Sequence, residues 1–556
     1  MGLARDYWSI LRKIDAILVV IVLFGLVNLW DVMTTRDLRL AGLLSPFQYC
    51  LHAVWIGVRN WIGFTFLPVA IVCLFGRLAR WVLLPLFCFC VIEEVASKYV
   101  SRVFGMGLEG EWYLLAENTT ADEVFQFLQM SSSPFAVVGM ILLLVVLVIS
   151  GGLIWRARYP VRSRRNLILA VIAFLPFLIL NCITMNWHLG VCQMRYMRFA
   201  LSPLVARRHA HGVRDACLKP QLPDRLQAKV AVEELPDCVI VLGESATRRD
   251  WHLYGYPRQT TPEMDRLCRG GGGVCFSDVV SVYGGTVQAL SLLLTDVVHG
   301  NPGSGNWTLA EVFRRAGYRC VKVANQSEGG PYATLNMIFN GCESRISAFR
   351  EFRGKGKCYD ENLVPLVERE LETGSCAKVV FVHLGGMHFP IRNVVPESDK
   401  HFSDSVESDC LVGLSPESRD RVNRYDDAIL YEDKVLGMLV DVLKKRNRPS
   451  LMMFISDHGE CPRAENWRIA TEMSVYEVPM VIWLSEQYRA KFPETVARVE
   501  AAKDRALQSD ELTWGIIELG QVVGVPHVDD EKSFLSPAFM GRSPRLVQGG
   551  KAIYQP

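Results

Sequence analysis

Apolar residues are unevenly distributed along this chain. Long apolar runs all fall before about residue 190, and beyond it apolar residues come in short runs that alternate with helical periodicity. Five of the long runs, at residues 14–32, 51–75, 79–95, 135–154 and 167–185, come near the ~20 residues that an α-helix needs to cross a hydrocarbon core. The third is short and flanked by Arg77, Arg80 and Trp81, so a re-entrant or surface segment is the alternative reading there.

The basic residues orient these spans. Arg5, Arg12 and Lys13 precede the first, Arg77 and Arg80 separate the second from the third, and Arg156, Arg158, Arg162, Arg164 and Arg165 separate the fourth from the fifth. These three segments are expected on the cytoplasmic side, whereas the loop at 105–122 carries Glu109, Glu111, Glu117 and Asp122. With an odd number of spans, everything after residue 190 falls outside the cytoplasm. No small-residue cleavage site follows the first span, which is expected to stay as an anchor.

The pattern divides the chain into a transmembrane domain at 1–190, a linker at 191–235 and a catalytic domain at 236–556. Within the linker, residues 195–208 mix apolar and basic side chains as an interfacial helix does, with a solvated linker helix as the alternative. His209 and His211 lie in that same basic stretch, a poor setting for a metal site.

In the last domain, strands are expected at 239–242, 320–324, 378–384, 451–456 and 478–484, and helices at 287–295, 308–316, 361–372, 416–445 and 509–523. Short β-branched runs alternating with helices predict an α/β domain, a mostly parallel sheet sandwiched by helices. Gly270 to Gly273 reads as a turn, because no strand precedes it and no Gly-Lys-Ser/Thr follows.

Composition supports a membrane part: half of the 556 residues are hydrophobic and mean hydropathy is +0.18. A net charge of +2 gives no sign of a nucleic-acid partner. Six of the 16 cysteines lie in or beside the apolar spans. The rest lie where disulfides could form, and Cys268/Cys275 and Cys342/Cys358 are candidate local pairs.

Polar residues gather at the predicted strand ends. Glu244 follows the first strand, Thr286 opens an apolar helix after Gly284-Gly285, His388 follows Gly385-Gly386-Met387, and Asp457-His458-Gly459-Glu460 follows the strand ending at Ser456. Glu, Asp and His form an oxygen and nitrogen ligand set that suits zinc, and the Thr286 hydroxyl could complete four-coordination. Metal coordination would activate that weak nucleophile, while a helix N-terminus would favour a phosphate. A plain N-cap is the competing role for Thr286. Asp296 and Glu460 are expected to support or cap, and His252 and His401 to sit at the surface or beside the cleft.

Here the chain resembles the phosphoethanolamine transferases of Gram-negative inner membranes, a branch of the alkaline phosphatase and sulfatase superfamily. The likeness rests on Gly243 to Asp250 with Tyr254 to Pro262, on Asn325-Gln326, on His383 to His388, on Tyr425 to Asp433, on Ser456 to Glu460, and on Lys532 to Phe539 with Pro544 to Val547. It implies a sulfatase-like periplasmic domain on five transmembrane helices, and a two-step transfer. Thr286, zinc-bound with Glu244, Asp457 and His458, would take phosphoethanolamine from phosphatidylethanolamine and pass it to a glycan or lipopolysaccharide acceptor. His388 would contact the phosphoryl group or a second zinc, and Asn325 and Gln326 would line the substrate site. Lipid A-modifying members place a further histidine downstream of the Ser456 to Glu460 motif, and none occurs here between His458 and His527. Arg463 or Arg468 could hold the phosphate instead, and the branch that modifies lipopolysaccharide core or glucan is the nearer match.

Three rival readings remain at this stage. A sulfatase activity needs a Cys/Ser-x-Pro-x-Arg precursor, and Cys461-Pro462-Arg463 has the wrong spacing. A phosphoglycerol transferase of the lipoteichoic acid type would share the spans, the threonine and the metal, but not the Glu244 to Pro262 signature. A catalytically inactive lipid-binding membrane protein would have no need of Glu244, Thr286, Asp457 and His458 together.

Overall fold

The computed structural model describes residues 15–34, 65–104, 134–161, 163–187, 229–230, 234–297, 307–326, 334–352, 358–388, 391, 394–403, 409–464, 472–525, 532–547 and 552–554. The expected linker helix and Arg468 lie outside them. The chain forms two compact units, one drawn from the N-terminal apolar helices and the other running from Arg208 to the C-terminus.

In the N-terminal unit the helices are α1 (Ala16–Thr34), α2 (Arg80–Phe104), α3 (Pro134–Arg156) and α4 (Arg164–Trp187). Among the described residues, Thr65–Val95 is the stretch long and apolar enough to cross a bilayer, with shorter apolar helices at Ala16–Val27 and Ile141–Arg156. That long stretch is interrupted at Gly76, whose φ of +53° breaks the helical path before the 3-10 turn Gly76–Ala79. A Cβ at Gly76 would lie 2.9 Å from the Pro160 carbonyl oxygen, so the turn packs closely on the segment between α3 and α4. Arg80 stacks on Trp155 at 4.4 Å, and the Ala16 N–H donates to Arg158 O at 3.0 Å. The start of α1, the Gly76–Ala79 turn and the α3–α4 connection thus meet at one end of this unit. Leu, Ile and Val side chains of α3 and α4 are exposed along 141–149 and 167–175, a surface that hydrocarbon solvates better than water.

The second unit is built on a seven-stranded sheet. Its strands in chain order are β1 (Asp237–Gly243), β2 (Gly273–Cys275), β3 (Arg319–Ala324), β4 (Ser344–Ser347), β5 (Lys378–His383), β6 (Ser450–Ser456) and β7 (Met480–Leu484). The spatial order is β2-β7-β6-β1-β5-β3-β4. All pairings are parallel except those of β7, which runs against both β6 and β2. The strands alternate between two cores. Ile240, Leu242, Val379, Phe381, Met453 and Ile455 pack on one face, and Val239, Val241, Val380, Val382, Met452 and Phe454 on the other. Burial on both faces is what continuous β-branched runs require.

Four helices carry or brace the site: α5 (Pro262–Arg269), α6 (Thr286–Leu293), α7 (Leu363–Glu372) and α8 (Pro416–Lys445). The helix expected at 509–523 is shorter, Thr513–Leu519. Leu507 and Gln508 before it pair with Val279 and Val280 in a separate parallel ladder, and Val522–Val523 after it pairs with Lys229–Val230.

Candidate active site

β1 and β6 are adjacent and in register, Gly243 opposite Ser456. The residues that follow each, Glu244 and Asp457, therefore emerge side by side at the carboxyl edge of the sheet, where open α/β folds place their ligands. Glu244, Asp457 and His458 are all buried, and one ligand atom from each lies within 4.8 Å of the others. Thr286, the first residue of α6, donates its hydroxyl to Glu244 at 3.1 Å from Oε2 and 3.3 Å from Oε1. His458 Nε2 is 3.5 Å from both Glu244 Oε1 and Asp457 Oδ2. Its Nδ1 bonds the Gly459 carbonyl at 2.8 Å, which places the proton on Nδ1 and leaves Nε2 as a lone-pair donor toward the cluster.

The loops around the cluster are fixed by backbone contacts. Ser245 sits in the left-handed region with φ +59°, a conformation that costs a non-glycine residue on the order of 1–3 kcal/mol. Its N–H donates to Asp457 Oδ1 at 3.0 Å and its hydroxyl to Glu244 Oε1 at 2.8 Å. Tyr425 of α8 holds this turn from below, donating to Ser245 O at 2.6 Å and accepting the Thr247 N–H at 2.8 Å. Gly386 adopts φ +46°, and a Cβ there would lie 2.8 Å from Glu244 O. Asp360 pins the same loop by accepting the N–H groups of Gly385 and Gly386 at 2.8 and 2.9 Å. No sequence signal pointed to Asp360, and Ser245 lies in the Gly243 to Asp250 signature without its contacts, distant in the chain, being legible. Tyr425 lies in a motif that does have a signature, but its partner was not legible.

Burial pushes the Glu244 carboxyl up, but His388, His458 and His383 outweigh it and hold the group below the usual range. Asp457 goes the other way, raised to about 6 by burial and by the neighbouring Glu244 charge. Burial disfavours the charged His458 ring, yet Asp457 and Glu244 raise its pKa overall. His383, fully buried, is driven down to about 3 by desolvation and then by Lys322. Two carboxylates crowded with an imidazole gain most from a shared divalent cation. Asp457 Oδ2 is buried with no hydrogen-bond partner among the described residues, so a ligand atom is available for zinc, and the donor set fits that ion.

The remaining expected residues are placed as follows. Gln326 donates to Glu244 Oε2 at 2.8 Å and to Leu384 O at 2.9 Å. Asn325 turns its amide to Asp360 at 2.8 Å and so braces the Gly385-Gly386 loop. His388 is half-buried at the end of that loop, close enough for its charge to act on Glu244. Arg463 is engaged elsewhere, with Asp250 at 2.5 Å and the Tyr256 hydroxyl at 2.9 Å. Asp296 accepts the Trp307 N–H at 3.0 Å, and Glu460 the Cys461 N–H at 2.8 Å. The pairing of Cys342 with Cys358 is not made. Both are free thiols, and they pack against opposite faces of the sheet, because the edge strand β4 carries the chain around from one face to the other. Cys268 and Cys275 are also free, and near enough for the charge of Cys275 to help raise the Cys268 thiol.

A profile of the sulfatase family matches residues 236–521. The chain belongs to that family. The matched region spans the whole seven-stranded sheet. Among curated proteins, phosphoethanolamine transferase EptC of Escherichia coli K12 is 28% identical over 316 residues, covering 54% of this chain and 53% of that protein. The chain thus aligns with about half the length of such relatives. The solved C-terminal periplasmic domain of E. coli EptC in complex with Zn superposes with a TM-score of 0.54 at 25% identity, over 60% of this chain and 94% of that one. Lipooligosaccharide phosphoethanolamine transferase A of Neisseria meningitidis, an integral membrane protein, superposes with a TM-score of 0.65 at 18% identity, over 92% and 98%. This last likeness extends the shared fold into the N-terminal helices.

Proposed function

We propose that this protein transfers phosphoethanolamine from phosphatidylethanolamine, through a covalent phosphothreonine at Thr286, to a periplasmic or outer-leaflet glycan or lipopolysaccharide. The observation that carries the reading is the Thr286 hydroxyl, set at the N-terminus of α6 and hydrogen-bonded to Glu244 within the Glu244, Asp457 and His458 cluster. The naming of relatives such as EptC supports the group transferred.

Glu244, Asp457, His458 and Thr286 would hold zinc. When bound, zinc supplies positive charge at the phosphoryl oxygens and acidifies a coordinated hydroxyl. The chain's own residues do the rest. The peptide N–H groups of the first α6 turn face a phosphate favourably. Gln326 and Ser245 fix the Glu244 carboxylate, and Glu244 accepts the hydrogen bond of the Thr286 hydroxyl in the resting state. In the first step a bond forms between Thr286 Oγ1 and phosphorus, the bond to the diacylglycerol oxygen breaks, and that oxygen takes up the proton. In the second an acceptor hydroxyl attacks phosphorus, the bond to Thr286 Oγ1 breaks, and the acceptor's proton passes to the Thr286 oxygen. His388 would contact the phosphoryl group. The apolar helices hold the protein in the inner membrane with the catalytic unit on the periplasmic side, which brings the site to its lipid donor and raises the effective concentration.

Intact-protein mass spectrometry of the detergent-solubilised chain with phosphatidylethanolamine and no acceptor tests this. A phosphoethanolamine adduct on wild type that vanishes in Thr286→Ala supports the reading. An adduct formed only with phosphatidylglycerol replaces it with phosphoglycerol transfer, and no adduct in zinc-loaded protein leaves a lipid-binding protein without transfer.

A further inference from the structure

Away from the Glu244 cluster, the C-terminal part of the catalytic unit carries a cavity of about 510 Å³ lined by Arg505, Arg542, Arg545, Phe539 and Tyr554. That size falls within the roughly 300–1,000 Å³ of small-molecule sites. Three guanidinium groups on one cavity call for charge compensation, and the described residues supply only part of it. Arg545 is paired with Asp278 at 2.7 Å, but Asp278 is shared with Arg248 at 3.2 Å. Arg542 meets Asp510 through Nη2 at 2.9 Å, while its Nη1 is buried with no hydrogen-bond partner among the described residues. Arg505 donates only to the carbonyl oxygens of Phe534 and Ser536, at 2.8 and 2.6 Å, and has no carboxylate partner among the described residues. Arg505, with no counter-charge among the described residues, is the guanidinium left to meet an anion in the cavity. The planar guanidinium fork matches phosphate oxygens. The walls beside it are aromatic: Arg545 lies over the Tyr554 ring at 4.7 Å and Arg505 over Phe539 at 6.0 Å.

From this geometry we infer that the cavity is a second binding site, one for a sugar that carries a phosphate. The guanidinium groups take the phosphate, and the half-buried Phe539 ring takes the apolar side of the sugar. One wall of the site is tied to the catalytic loop. The Tyr554 hydroxyl donates to Glu477 at 2.8 Å, and the Glu477 carbonyl accepts the Arg248 N–H at 3.0 Å, four residues beyond Glu244. Use of the cavity to hold a phosphorylated glycan acceptor rests on the transferase reading above; its occupancy does not.

Calorimetric titration of the zinc-loaded full chain in detergent with glucose 6-phosphate, glucose and glycerol 3-phosphate tests the inference. Glucose 6-phosphate is expected to bind, glucose to bind at least tenfold more weakly, and affinity to fall with added salt. Arg542→Lys, which keeps the charge facing Asp510 but loses the planar fork, and Arg505→Gln should each weaken glucose 6-phosphate at least tenfold with zinc content unchanged. Phe539→Leu should weaken glucose 6-phosphate and leave glycerol 3-phosphate as it was. Thr286→Ala should bind like wild type, so a failed transferase reading leaves this result standing. The inference is overturned by no binding to wild type, by binding that the three cavity variants leave intact, or by binding lost in Thr286→Ala. Glycerol 3-phosphate binding as tightly as glucose 6-phosphate would move the ligand from a sugar to a lipid headgroup and overturn it as well.

Discussion

Thr286 Oγ1 lies 3.1 Å from Glu244 Oε2, so the first residue of α6 and the residue after β1 meet at a single carboxylate. The N-cap of α6 is Gly285, so Thr286 is the first helical residue and not the cap. The hydroxyl is directed to the cluster. Thr286→Ala should therefore abolish adduct formation and lower transfer by at least about 10³-fold, with melting temperature and zinc content near wild type. Thr286→Ser should keep a measurable rate. Comparable rates for Ala and wild type in a phosphatidylethanolamine turnover assay would remove Thr286 from the mechanism.

The carboxylates make a different prediction, because they belong to the metal site as well as to the chemistry. Glu244→Gln and Asp457→Asn keep shape and remove charge, and each should lose zinc along with activity when metal content is measured on purified protein. Removing those charges also removes the mutual repulsion that raises Asp457 to about 6. The apo variants should accordingly be no less stable than apo wild type. A variant that retains full zinc and loses only turnover would place its carboxylate outside the ligand set.

Much of this arrangement was legible in the sequence, and the reason is physical. Buried parallel strands must be apolar on both faces, so β1, β3, β5, β6 and β7 stand out as β-branched runs, and their carboxyl ends point to Glu244, His388 and Asp457. The edge strands β2 and β4 were not legible, since one is three residues and the other a half-exposed Ser-Arg-Ile-Ser. Closeness in sequence likewise misled for Cys342 and Cys358, because the intervening β4 turns the chain around the sheet edge. What stayed hidden at the site is its bracing. Tyr425 is 180 residues from the carbonyl it holds, and no local pattern marks that contact.

Tyr425→Phe tests whether this bracing matters to the metal. The hydroxyl makes both contacts that hold the left-handed Ser245, and Ser245 in turn bonds Glu244 and Asp457. Losing it should cost about 1–3 kcal/mol of stability and weaken zinc roughly 10–100-fold, the usual effect of removing a group that orients metal ligands. Competition with a chelator of known affinity reads the second effect separately. Unchanged zinc affinity with lowered stability would make Tyr425 structural only.

Two glycines separate backbone strain from close approach. Gly374 and Gly386 both have positive φ, but a Cβ on Gly374 meets nothing within 4 Å, whereas one on Gly386 would meet the Glu244 backbone at 2.8 Å. Gly374→Ala should cost about 1 kcal/mol and leave turnover untouched. Gly386→Ala should displace Glu244, with loss of zinc and activity together. Equal behaviour of the two variants would mean that the loop absorbs the clash.

Asp433 gives a prediction that depends on pH rather than on catalysis. It reaches from α8 to the first turn of α5 and accepts the N–H groups of Glu263 and Met264 at 2.7 and 2.9 Å, taking the place of a cap that Thr261 does not provide. Those two bonds favour the carboxylate, but burial is the larger effect and raises Asp433 to about 7. The unfolded chain titrates this group near 3.9, so between about pH 4 and pH 7 the folded state holds a proton that the unfolded state has lost. Stability from this group is therefore complete below pH 4 and declines as pH rises toward 7, by at most about 1.4 kcal/mol per pH unit. Asp433→Asn keeps an oxygen acceptor and cannot titrate, so that slope should disappear. Thermal unfolding of the detergent-solubilised protein at pH 5 and pH 7.5 should show wild type losing more stability than the variant on going to the higher pH. Equal losses would mean that Asp433 is already ionised at pH 5, and that its two N–H partners outweigh its burial.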